Sequence, residues 1–129
     1  MIAGQAVLIT GFSGSGKSDL ALRLIDRGAT LISDDYTLLM RAEHRLTASA
    51  PTNIKGKIEV RGIGIIDMIN VDDVRVALVI ALGDRMERLP EGDQAQNIAG
   101  ISVPVINLAA FEASTPHKIE LALRLKGHQ

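Results

Sequence analysis

The segment Gly11-Phe12-Ser13-Gly14-Ser15-Gly16-Lys17-Ser18 constrains this chain more than any other stretch. Gly11, Gly14 and Gly16 permit backbone angles that other residues adopt only at a cost, so the loop can turn its N–H groups inward around an anion. The flanks suit that purpose. Ala6 to Thr10 is a short apolar run that reads as a strand buried on both faces. Lys17 to Arg27 reads as a helix, with Leu20, Ala21, Leu24 and Ile25 on one face and Gly28 placed to end it. A helix opening there presents its positive end to the same anion. The pattern therefore predicts a P-loop, with Lys17 at the β- and γ-phosphates of a nucleoside triphosphate and Ser18 offering a hydroxyl to Mg²⁺. The competing reading is a glycine-rich turn with an exposed lysine and serine.

The 129 residues are the size of one domain, taken as 1–129. Hydrophobic residues make up 47% of the chain but aromatic ones only 2%, so the core must be built from Leu, Ile, Val and Ala. Fourteen basic and fifteen acidic residues give a formal net charge of −1, which offers no electrostatic case for nucleic acid or an anionic membrane. Without cysteine there is no disulfide, thiolate metal site or cysteine nucleophile, and the plain expectation is a cytoplasmic protein. No stretch approaches the roughly 18 apolar residues needed to span a bilayer, and the first ten residues read as a strand rather than a signal peptide.

Further along, Thr30 to Ser33 reads as a second strand beside the first, giving a βαβ-type opening with Asp34-Asp35 at its end. Tyr36 to Arg41 and Leu46 to Ser49 predict a hairpin around Glu43-His44-Arg45. Ala50 to Asn53 breaks the pattern, and Lys55-Gly56-Lys57 reads as a mobile basic stretch. Arg75 to Leu82 is the strongest strand, suited to the centre of a sheet. Gly83 to Gln94 is polar, and Ile101 to Ile106 is a last strand that Pro104 suggests is an edge. Ser114 or Thr115 caps a final helix with Pro116 at its first position. The expected architecture is α/β, a mixed central sheet with few flanking helices.

Phosphoryl transfer also needs a metal partner and a group that handles the nucleophile. Asp34-Asp35 is the first candidate, since ligands bind outside the carboxyl ends of such strands. Adjacent carboxylates favour a division of labour, one on metal or water and one raised in pKa as a base, unless the pair is only a solvated turn. Glu59 and Arg61 stand at period two within I-E-V-R-G-I-G-I-I, so on a strand they share a face. Either they pair with each other or they meet a metal and a phosphate. Arg88 is the remaining candidate, as arginine commonly stabilises phosphoryl transition states, although most such loop arginines face water. His44, His117 and His128 are scattered and form no metal-binding spacing. Asp72-Asp73 and Glu91 to Asp93 read as polar turns.

Three segments carry a family resemblance: G-F-S-G-S-G-K-S-D-L-A-L-R-L-I-D-R-G (11–28), L-I-S-D-D (31–35) and I-E-V-R-G-I-G-I-I-D (58–67). Together they resemble the catalytic domain of HPr kinase/phosphorylase, whose P-loop fold is similar to that of phosphoenolpyruvate carboxykinase. The short alphaproteobacterial forms resemble it more closely than the longer members do. The resemblance implies ATP and Mg²⁺ as cofactors, an HPr-like phosphocarrier as protein substrate, and assembly into rings of six. It implies that Lys17 holds the β/γ-phosphates, and that Ser18 and Glu59 bind Mg²⁺. Asp35 would deprotonate the target serine and return a proton in the reverse phosphorolysis, Asp34 would support that site, and Arg88 in M-E-R-L would belong to it as well. Two features depart from the family. No histidine stands among the ten residues before Gly11, and Val103 to Asn107 does not match the proline- and glycine-rich loop tied to the phosphorylase reaction. These departures motivate a second reading, a nucleotide-responsive regulatory module that catalyses little. A third is a small-molecule P-loop kinase, for which only Arg85 and Arg88 could line a lid.

Overall fold

The computed structural model describes residues 1–83 and 94–126. Eight strands and two helices follow in the order β1 (Ala6–Thr10), α1 (Lys17–Asp26), β2 (Leu38–Ala42), β3 (Arg45–Ser49), β4 (Lys57–Val60), β5 (Gly64–Asp67), β6 (Val74–Leu82), β7 (Gln94–Ile98), β8 (Ile101–Leu108) and α2 (Thr115–Lys126), with a 3₁₀ turn over Thr52–Ile54. This is an α/β fold, a mixed six-stranded sheet with two helices, beside which β4 and β5 form a hairpin of their own.

β6 is the axis of the sheet because it is apolar nearly throughout. It pairs in parallel with β1 (Ala6↔Val76 to Thr10↔Ala81) and with β8 (Val79↔Val105 to Leu82↔Leu108), and its start meets β3 in antiparallel fashion at Val74 and Arg75. Between Ala6 and Val7 the register slips by one residue, which places an extra residue, Ala77, in β6. Such a bulge reverses which side chains face which side. Accordingly Val74 and Val76 pack with Ala6, Ile32, Leu46, Ala48 and Val103 on one face. Beyond the bulge, Leu78, Ile80 and Leu82 pack with Leu20 and Leu24 of α1 and with Ile119, Ala122 and Leu123 of α2 on the other. The core is aliphatic on both faces, as the composition requires.

Several expectations are corrected. Residues 30–33 do not form a strand beside β1, whose parallel neighbour is β6. Their main chain makes one isolated bridge, Leu31 to Asn70, while Leu31 and Ile32 are both buried. An apolar run that finds no full-length neighbour cannot build a ladder, so the βαβ opening does not form. β8 is interior, with β7 outside it, and β7 carries no strand signal of its own because Gln94–Ile98 is polar and exposed. Pro104 is tolerated because it precedes the first pairing with β6 at Val105 and faces a strand on one side only, opposite Ala95. The Lys55-Gly56-Lys57 stretch is tied down: Lys55 pairs with Asp72, Lys57 pairs with Asp67 at 2.8 Å, and Gly56 is buried.

The hairpin β2–β3, the central β6 and both helices stand where the sequence placed them. α1 begins after Gly16, which lies in the left-handed region, and Gly28 (φ 111°) follows its C-cap Arg27, with the Gly28 N–H donating to the Ile25 carbonyl. At α2 the Lys118 N–H donates to the Ser114 carbonyl, and the buried Thr115 hydroxyl donates to the Ala109 carbonyl at 2.5 Å.

Candidate functional site

Three parallel strands end side by side, β1 at Thr10, β6 at Leu82 and β8 at Leu108. The glycine loop leaves β1 at this edge, where ligands of open α/β sheets bind. The loop is tightly wound. The Ser15 N–H donates to the Phe12 carbonyl at 3.0 Å, and a Cβ on Gly11 would lie 2.5 Å from Ser15 Oγ, so a side chain there would displace the Ser15 hydroxyl. Ser15 is only 8% exposed, and its hydroxyl has no hydrogen-bond partner among the described residues. Buried hydroxyls are nearly always satisfied, so this orphan sets the glycine loop apart from an ordinary turn. Lys17 Nζ donates to the carbonyls of Gly11 (2.9 Å) and Phe12 (3.1 Å), which parks its charge on the loop's own rim.

The first helical turn then meets the acidic segment. Ser18 Oγ donates to Asp34 Oδ1 at 2.8 Å, and Asp34 Oδ2 accepts from the Glu59 N–H at 3.0 Å. One half-buried carboxylate thus joins the start of α1, the 31–35 segment and β4. Asp35 beside it is exposed and makes no side-chain hydrogen bond or ion pair among the described residues. The two acids therefore divide geometrically into one engaged and one free. A cavity of about 320 Å³ runs from here, lined at this end by Thr10, Lys17, Asp34 and Asp35 and further in by Val7, Ile9 and Leu31.

Glu59 lies on β4 with its side chain exposed, whereas Arg61 falls in the turn after β4 ends at Val60. They do not share a strand face, and no ion pair joins them among the described residues. Of the expected site residues, Gly11 to Ser18, Asp34 and Asp35 are gathered at one edge, and Glu59 reaches it through its main chain. Arg88, with Arg85, Glu91, Asp93 and His128, lies outside the described residues. His44 and His117 are exposed. Asp72 is occupied structurally: the hydrogen bond from Lys55, then that from the Ala50 N–H, hold its carboxyl below the ordinary value. Among the described residues no group of three or more His, Cys, Asp or Glu side chains could hold a metal.

This geometry has known counterparts. Residues 1–123 match the family described as the HPr Serine kinase C-terminal domain. The chain belongs to that family. It is similar to the HPr kinase/phosphorylase of Lacticaseibacillus casei strain BL23, 37% identical over 120 residues, and to that of Caldicellulosiruptor bescii, 41% identical over 118 residues. These alignments cover 83% and 81% of this chain, and the chain spans only 38% of the length of either relative. Among solved structures it resembles the Hpr(Ser) kinase/phosphatase of Coxiella burnetii, with a TM-score of 0.83 and 35% identity over 96% of this chain and 89% of that one. The resemblance read from the three sequence segments is thus the correct family.

One neighbour of the glycine loop was invisible in the sequence. The segment 109–115, which follows β8, closes against it. A Cβ on Gly16 would lie 2.8 Å from Phe111 Cζ and 3.0 Å from Ala110 Cβ, so glycine is required there for close approach as well as for its φ of 101°. Arg23 on α1 fastens that segment by donating to the carbonyls of Ala110 and Glu112 (3.3 Å), and Asp19 holds Arg23 in turn at 3.0 Å. Neither local pattern nor composition signals a contact across this separation. Among the described residues, no helix is long and apolar enough to cross a membrane.

Proposed function

We propose that this chain is an ATP-dependent, Mg²⁺-requiring serine kinase acting on HPr or a related phosphocarrier, working as one P-loop domain over residues 1–129 with a phosphoenolpyruvate carboxykinase-like site. The single observation that carries the reading is the meeting of Ser18 and Asp34 beside the glycine loop, with Lys17 on its rim. Hard oxygen donors of this kind suit Mg²⁺, which takes one or two protein groups and completes its shell with phosphate oxygens and water rather than a full protein cage. Ser18 and Glu59 would hold the ion, with Asp34 supporting Ser18. Bound Mg²⁺ would neutralise charge on the transferring phosphoryl group.

In this scheme the loop amides and Lys17 hold the triphosphate, Lys17 exchanging its carbonyl partners for phosphate oxygens. The serine Oγ of the carrier bonds to the γ-phosphorus, the bond from that phosphorus to the β,γ-bridging oxygen breaks, and ADP leaves. Asp35, exposed and without a side-chain partner among the described residues, accepts the serine proton. Arg88 is assigned to the transferring group by family resemblance. Positioning and fixed charge supply most of the rate. Asp35 would return the proton in the reverse phosphorolysis. Assembly into rings of six and a cytoplasmic location are likewise proposed from the family.

The test is transfer of labelled γ-phosphate to purified HPr. Wild type is expected to label HPr on serine with Mg²⁺, and Asp35→Ala to bind ATP without labelling it. A wild-type chain that binds Mg·ATP but never labels HPr would favour the regulatory module, and labelling confined to a metabolite panel would favour the small-molecule kinase.

A further inference from the structure

The chain contains three aromatic residues, Phe12, Tyr36 and Phe111, and none of them is in the core. They are 59%, 71% and 71% exposed. Aromatic rings normally supply a core with its largest buried areas, so a domain that leaves all of its rings at the surface has a use for them there. All three border one place. Phe12 belongs to the glycine loop, Tyr36 follows Asp34-Asp35, and Phe111 lies against Gly16 at the start of α1.

Phe111 differs from the other two in how it is held. The Arg23 guanidinium fixes the main chain on both sides of it through the Ala110 and Glu112 carbonyls. The Glu112 side chain pairs with Lys118 at 3.0 Å, and the buried Thr115 hydroxyl holds the Ala109 carbonyl. A ring with an open face, carried on a segment clamped at four points, is pre-organised to receive a flat ligand at little ordering cost. The chemistry of that ligand follows from position. The base of a nucleoside triphosphate lies an α-phosphate and a ribose away from the phosphates at Lys17, a reach that takes in the exposed ring of Phe111 beside Gly16.

We propose that Phe111 is the stacking platform for the base of the bound nucleotide. The inference rests on the loop being a nucleotide site, as proposed above. Every base has a π-face, so this contact selects for a nucleoside without choosing among bases.

Calorimetric titration of the full chain with Mg·ATP and with Mg·tripolyphosphate, which lacks base and sugar, tests it. Phe111→Ala is expected to weaken ATP about tenfold while leaving tripolyphosphate within about twofold. Phe111→Trp should keep ATP affinity. Because the chain has no tryptophan of its own, that variant's fluorescence should change with ATP and not with tripolyphosphate. Unchanged ATP affinity in Phe111→Ala overturns the proposal, including the case where the variant instead shifts the oligomeric state and reveals a protein interface. Equal weakening of both ligands also overturns it and leaves Phe111 as packing for the loop. If wild type binds neither ligand, the nucleotide reading fails and the platform falls with it.

Discussion

Removing the Asp34 carboxylate should unfasten three segments at once. Its two oxygens accept from the Ser18 hydroxyl at 2.8 Å and the Glu59 N–H at 3.0 Å. Hydrogen bonds to a charged acceptor contribute about 1.5–3 kcal/mol each, and the half-exposed setting argues for the lower end. Asp34→Ala should therefore cost about 2–3 kcal/mol, which for a domain of this size lowers Tm by about 10 °C. Asp34→Asn keeps an acceptor for the Glu59 N–H and an NH₂ for a reoriented Ser18 hydroxyl, so it should lose about 1 kcal/mol and about 4 °C. Thermal unfolding followed by circular dichroism measures both. The comparison also separates structure from chemistry, because the neutral amide should preserve the fold yet fail to support Mg·ATP binding. If Asp34→Ala melts within about 2 °C of wild type, or the two variants melt together well below it, Asp34 does not join the segments as described.

Three further outcomes follow from other contacts. Lys17→Met should reduce ATP affinity about 100-fold by calorimetry and leave Tm almost unchanged, since Lys17 is held only by two loop carbonyls. The hydrogen bond from Arg27 holds the Glu120 carboxyl below its ordinary 4.5, so that pair's stabilisation is complete above that value and fades as the pH falls through the lower folded one. The Tm gap between wild type and Glu120→Gln should accordingly be present at neutral pH and close on acidification. Gly56→Ala should destabilise by about 3 kcal/mol in urea unfolding, because φ there is 76° and the new Cβ would sit 2.6 Å from Asn70 Nδ2 and 3.3 Å from the Met68 carbonyl oxygen.

What could be read in advance was what local rules govern. β6 announces itself as a run of apolar, partly β-branched residues, and α1 carries its period and a terminal glycine within one short stretch. The glycine loop between β1 and α1 is legible for the same reason. What could not be read depends on which segments become neighbours. Thr30 to Ser33 has a strand's composition and is denied a ladder, whereas the polar β7 gains one from the edge of β8. The Glu59 and Arg61 spacing implied a shared face, but the turn begins between them. Asp34 was legible as an acid near the loop; that it would bind Ser18 and the Glu59 main chain together was not, since neither bond leaves a trace in sequence spacing. Phe111 carried no signal at all.

These contacts give the site one fixed half and one movable half. Asp34 is committed on both oxygens, so the acidic side stands ready before any ligand arrives. Lys17 is the opposite case, a full charge resting on two neutral carbonyls that belong to the loop itself. Hydrogen bonds between ionised partners are roughly twice as strong as neutral ones, so under the proposed function phosphate oxygens would outcompete those carbonyls for the ammonium. Reorganisation on binding would then be confined to one flexible side chain, while the Ser15 N–H bond to the Phe12 carbonyl holds the turn of the loop. Placing every ring outside the core serves the same division. An aliphatic sheet packed on both faces fixes the strand ends without aromatic help, which leaves Phe12, Tyr36 and Phe111 exposed and available to the proposed site.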